Sequence, residues 1–206
     1  MLQLSSFTVF TPWQAAVLLA LQGGALAIWW RQNHRPAARG GPIAMTKACW
    51  LVYAITLWLV APLMLAGNAW RDQDRWLLAA MGLLAASLAI RGLVELAMLR
   101  RGTWRVAHGL GHDRWHLGLC TLAGALCGYG GASLGTWLVL GLTVIAMISE
   151  LHFVAAFANA TAGPAAGIYF VPNETRHHAL LRRCATIFLP QYAIFLALLL
   201  VCLNPG

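Results

Sequence analysis

The apolar residues of this chain come in runs as long as a bilayer is thick. A helix rising 1.5 Å per residue needs about 20 mostly apolar residues to cross a hydrocarbon core of roughly 30 Å. Six stretches approach or meet that length: 13–30, 48–70, 76–99, 117–133, 134–157 and 184–203. Hydrophobic residues make up 60% of the chain and charged ones 10%, against about 25% charged in an ordinary soluble domain. The expected fold class is therefore an all-α integral membrane protein, a bundle of about six transmembrane helices. It becomes five if the glycine-rich fourth span is not a full crossing, because Gly128, Gly130, Gly131 and Gly135 interrupt it. A tight turn over 129–133 is expected to join the fourth and fifth spans. The chain carries no linker long enough to part soluble units, so 1–206 reads as a single multi-pass membrane domain.

Orientation follows from the basic residues. Arg31, Arg35, Arg39 and Lys47 follow the first span, Arg100, Arg101, Arg105 and Arg114 follow the third, and Arg176, Arg182 and Arg183 precede the sixth. With six crossings these eleven of fourteen Lys plus Arg fall on one side, while Arg71 and Arg75 on the other are offset by Asp72 and Asp74. Short basic loops stay in the cytoplasm, so the reading is a bacterial inner-membrane protein with both termini outside. The formal charge of +8 is then topology, not a nucleic-acid footprint, and no nucleic-acid partner is expected. A basic rim would instead attract anionic membrane lipid. The tryptophans agree: Trp13, Trp70, Trp76 and Trp137 fall at outer ends, Trp29, Trp30, Trp50, Trp104 and Trp115 at or near inner ends, and only Trp58 lies mid-span, as an aromatic belt requires.

Residues 1–12 are uncharged and the first basic residue follows the apolar run, the reverse of a signal peptide, so the first span reads as retained. Cys49, Cys120, Cys127, Cys184 and Cys202 form no Cys-x-x-Cys pair and read as small apolar packing residues. Gly124 with Gly128, and Gly131 with Gly135, have the small-x-x-x-small spacing that lets helices approach closely. Pro62 and Pro190 are expected to kink the second and sixth spans.

Four ionisable residues lie where lipid makes them expensive. Arg91 and Glu95 interrupt 76–99, and Glu150 and His152 interrupt 134–157. A charge at the bilayer centre costs roughly 2.5 to 3.5 kcal/mol on insertion scales and marks a functional site by default. Arg91 falls about 12 Å, and Glu150 about 10 Å, from the inner end of its span. Arg91 and Glu95 share a helical face; Glu150 and His152, two residues apart, point about 200° from one another. Arg N-terminal to Glu is the poorer order for an i,i+4 pair, which favours a partner for Arg91 on another helix. These four are the candidate catalytic residues.

His108, His112 and His116 form a second signal, a histidine-rich loop in the connection 100–116. Their spacing of four would line one stripe of a helix and could bind a divalent metal ion if carboxylates such as Asp113 completed the shell. Gly109 and Gly111 argue against a helix there, at about 1 kcal/mol each. A haem b site would need His152 to face His112 or His116. The connection 158–183, with Gly163, Pro164 and Gly167, could cap a cavity beside Glu150 and His152.

Three function classes fit. The first is an intramembrane enzyme acting on a lipid, isoprenoid or other apolar small-molecule substrate by acid/base or metal-assisted chemistry. The second is a proton-coupled transporter, or a haem or quinone electron-transfer subunit. The third is a non-catalytic subunit or assembly factor whose buried charges bind a membrane protein partner. The residues favour the first, because two helices invest charge at matching depth.

Overall fold

The computed structural model describes residues 7–34, 44–101, 103, 106–160 and 175–204, with side chains except at 99, 106–109, 153–160, 175–182 and 184. All the regular structure in this set is helical: α1 (Pro12–Gln22), α2 (Gly24–His34), α3 (Met45–Ile55), a π-helical turn (Thr56–Val60), α4 (Ala61–Arg71), α5 (Arg75–Arg101), α6 (Val106–Gly130), α7 (Leu134–Ala160) and α8 (Thr175–Leu203). Five rods are long and apolar enough to cross a membrane: Pro12–His34, Met45–Arg71, Arg75–Met98, Leu134–His152 and Ala185–Leu203. The chain is an all-α, multi-pass membrane bundle.

The rod Met45–Arg71 is the hub. Its apolar window is 56% buried, against 22 to 50% for the other four, and a helix apolar on all sides belongs in the interior. Tyr53, Leu57, Ala61 and Leu65 from this rod meet Leu18 of α1, Met81 and Leu84 of α5, Met147 of α7 and Phe195 and Leu199 of α8 in one core. Neighbours in sequence pack together from α4 through α8, and α1 closes the bundle against α8. Lipid tails are as apolar as leucine, so close packing and interhelical hydrogen bonds hold such rods together. The Gln14 amide donates to Asn68 Oδ1 at 2.9 Å, Gln22 to Thr56 Oγ1 at 3.1 Å, the Tyr53 hydroxyl to Gln191 Oε1 at 3.3 Å, and Gln191 to Ser149 Oγ at 3.2 Å. Each contributes about 0.6 kcal/mol.

Local chemistry sets the ends. Thr11 and Gln14 form a reciprocal capping box at the start of α1, with Pro12 in its first turn. Asp74 Oδ1 accepts from the backbone of Trp76 and Leu77 at 3.1 and 3.0 Å, which starts α5. α6 ends at a left-handed Gly131, φ 70°, with Ala132 N donating to Cys127 O and Gly131 N to Gly128 O, the paired bonds of a Schellman cap. Ser133 Oγ then accepts from Thr136 N to begin α7. Thr11→Ala removes one side of the capping box, and a loss of about 1 kcal/mol is expected, measurable as reduced unfolding free energy in detergent.

The structure departs from the sequence expectations in four places. The first apolar run is not one uniform helix but two segments turning at Gly23. The π turn Thr56–Val60 precedes Pro62: Ala61 N reaches back to Thr56 O, the five-residue return that accommodates a ring unable to donate. The fourth helix begins at Val106 rather than 117, so His108, His112 and His116 lie on a helix and not in a loop. It is absent from the five apolar rods because Asp113, Arg114 and the histidines occupy its first half; protein packing against α5 supplies what glycine and polarity withhold. Trp50 turns into the core, 8% exposed, instead of joining the aromatic belt. Pro190 lies inside a continuous α8. The expected capping segment at 161–174 lies outside the described residues.

Candidate functional site

Asp113, His116, Cys120, Ala123 and Cys127 are all buried, spaced 3-4-3-4 along α6, so they form one stripe. The facing stripe of α5 runs through Met81 and Leu84, both buried, and continues as Leu88, Arg91 and Glu95. The last turns of this seam are ionic. Arg91, 8% exposed, donates from Nε to Glu95 Oε1 at 3.1 Å and from a terminal nitrogen to Asp113 Oδ1. Asp113 is fully buried, while the Glu95 side chain is 23% exposed. Glu95 is therefore at the rim of the cluster and Asp113 at its centre.

The π turn supplies the third wall. Trp58, within it, lies under the guanidinium with Arg91 Cζ 5.9 Å from the ring centre, within the range of a cation–π contact. Its ring is 6.5 Å from that of His116. His116 is 1% exposed, and its Nδ1 meets Ser87 Oγ at 3.0 Å. Behind Trp58, Trp50 packs edge-on at 6.4 Å and donates from its indole nitrogen to Glu150 Oε2 at 2.7 Å. Glu150 is within electrostatic range of Asp113. Arg91 lies ten residues before the end of α5 and Glu150 ten before the end of α7, about 15 Å in each case. Lys47, also buried, stands one turn before Trp50 on α3.

Three buried polar atoms in this cluster have no hydrogen-bond partner among the described residues: Asp113 Oδ2, His116 Nε2 and Trp58 Nε1. Buried polar groups are paired in the great majority of cases, and leaving one bare costs about 1–3 kcal/mol. Three together at the contact of three helices mark a place where something polar fits.

The structure thus brings Arg91, Glu95 and Glu150 into or beside one cluster and leaves His152 out. His152 is exposed on α7, on the face of Ile145 and Ile148, while Glu150 points inward. His116 is buried against α5, so His152 and His116 do not face each other across a haem. His112 is half-buried on α6, and the side chain of His108 lies outside the described residues. Among the described residues no group of three histidine, cysteine or carboxylate side chains gathers as a metal shell. His116 instead joins the cluster as a single histidine beside Asp113.

Asp113 is the residue the sequence expectations undervalued, since they placed it only as a possible member of a metal shell. The 3-4-3-4 spacing from Asp113 to Cys127 is the signal that finds it. Comparison with protein-family models, curated proteins and solved structures gives no match to this chain.

Proposed function

We propose that the Arg91–Asp113–His116 cluster is the acid/base site of an intramembrane enzyme whose substrate is a lipid, isoprenoid or similar apolar molecule. The observation that carries this reading is the pair Asp113 and His116: two titratable groups one turn apart, both buried, each with an open polar atom. Arg91 holds Asp113 in place, and Ser87 orients the imidazole. Glu95, at the rim, faces the side from which a molecule dissolved in the bilayer arrives. The positive-inside pattern, read with six crossings, supports an orientation with this end of the bundle at the cytoplasmic leaflet of a bacterial inner membrane and both termini outside.

A relay across the membrane is supported less well. Between Thr56 and Asn68 the hub rod buries Leu57, Ala61 and Leu65, so its polar contacts near the cluster are separated from those at the other end by about 18 Å of apolar helix. A second reading, a subunit that docks on a partner helix, rests on His152, the polar member of an otherwise apolar exposed face with Ile145 and Ile148.

Lipid and metabolite profiling of a strain lacking the protein tests the enzyme reading. Restoring the wild-type chain is expected to clear an accumulated apolar compound. Asp113→Asn, at equal membrane abundance, is expected to clear it at least 100-fold more slowly, the lower end of what a positioned acid/base group contributes. Full clearance by both Asp113→Asn and His116→Gln would end the enzyme reading. Unchanged lipids together with loss of a co-purifying protein on His152→Leu would establish the second.

A further inference from the structure

The unpartnered atoms of the cluster have a definite chemistry. A carboxylate oxygen only accepts, an indole N–H only donates, and an imidazole nitrogen does either according to tautomer. Asp113 Oδ2 therefore asks for a donor and Trp58 Nε1 for an acceptor. His116 Nε2, whose partner nitrogen is taken by Ser87, completes a set of three. They belong to groups gathered around Arg91: Asp113 bonds to the guanidinium, the Trp58 ring centre lies 5.9 Å from Arg91 Cζ, and the ring centres of His116 and Trp58 are 6.5 Å apart.

A hydroxyl is the smallest group that answers all three. It carries one O–H donor and two acceptor lone pairs, so it gives its proton to Asp113 Oδ2 and receives from Trp58 Nε1 and His116 Nε2. A carboxylate has no proton for Asp113 and would set a further negative charge beside Asp113 and Glu95, which already share one guanidinium. An ammonium offers nothing to Trp58. An ether or ketone leaves Asp113 bare. We infer that the niche between Asp113, His116 and Trp58 binds the hydroxyl group of an apolar alcohol, a long-chain or isoprenoid alcohol being the class that fits. This rests on the reading of the cluster as a substrate site and names the substrate's polar end. Water has the same hydrogen-bonding chemistry, and the test separates the two sources.

The protein in phosphatidylcholine nanodiscs is melted in the presence of dodecan-1-ol, dodecanoic acid, dodecylamine or dodecyl methyl ether. The alcohol is expected to raise the melting temperature saturably, with the acid, amine and ether at least tenfold weaker. Trp58→Phe keeps the ring over Arg91 and removes the N–H, and should weaken the alcohol at least fivefold. His116→Gln is the second variant, with the same expectation, in case Trp58→Phe does not accumulate. An acid, amine or ether that binds as tightly as the alcohol overturns the inference, as does undiminished alcohol binding by the variants. No saturable shift with any probe also overturns it and leaves the niche to water. If the alcohol binds but the knockout shows no lipid change, the inference stands and the enzyme reading falls. If the accumulated compound lacks a hydroxyl, the reverse holds.

Discussion

Arg91→Met is expected to cost the folded protein about 3–5 kcal/mol, the penalty for removing one partner of a buried ion pair and leaving the other uncompensated. The guanidinium serves two carboxylates at once, Glu95 and the fully buried Asp113, so its removal takes from Asp113 the cation it is bonded to. Equilibrium unfolding in mixed detergent, followed by tryptophan emission, gives the number directly. Arg91→Met combined with Asp113→Leu should recover more than half of the loss, because the remaining carboxylate, Glu95, is partly exposed and can turn outward. Arg91→Lys should fall between, since a single ammonium replaces a planar fork that reaches two acceptors. A single Arg91→Met change within 1 kcal/mol of wild type would mean that the pair carries no structural weight.

Gly135→Ala should produce the second large effect. A Cβ at this position would lie 2.6 Å from the carbonyl oxygen of Phe7 and press on Val9 as well. The obstacle is backbone, not the flexible tip of a side chain, so the segment 7–10 must move off α7. Overpacking of this kind costs about 1–3 kcal/mol. The same segment receives the Cys202 thiol through Phe7 O at 3.8 Å, and Cys202 is 1% exposed. Faster maleimide labelling of Cys202 in Gly135→Ala should therefore accompany the stability loss. Gly118→Ala is the control: a Cβ there meets nothing within 4 Å, and the better helix propensity of alanine should leave the protein unchanged or up to about 1 kcal/mol more stable. Equal effects at the two glycines would show that propensity, not the contact with Phe7, sets the result.

Hydropathy alone located five apolar rods, because membrane helices carry that signal in every residue. It also placed the turn after the fourth helix, where Gly131 adopts a positive φ. What hydropathy and charge could not reveal was azimuth. Trp50 has the depth of a belt residue, yet it faces Glu150, a fact decided by helices a hundred residues apart. His108 to His116 read as a loop because two glycines and five polar side chains dilute the pattern, and only packing against α5 makes that stretch a helix. Arg91 and Glu95 stood out against their apolar surroundings. Asp113 did not, since it sits among polar neighbours and its burial comes from another element. Charge was thus legible where the background was apolar and illegible where it was not.

The π turn at Thr56–Val60 has a consequence for how the hub rod can vary. One extra residue in a helix of 3.6 residues per turn rotates everything beyond it by about 100°. The Trp50 and Tyr53 half of the rod is therefore phased independently of the Leu65 and Asn68 half, and Trp58 is at the joint. Loss of a single residue there would leave both halves helical and apolar, yet would turn Asn68 away from Gln14 or Trp50 away from Glu150. The two ends of the bundle are in this sense separate lineages of contact sharing one helix, and substitutions tuning the ionic cluster need not disturb the pairing of α1 with α4 at the opposite end.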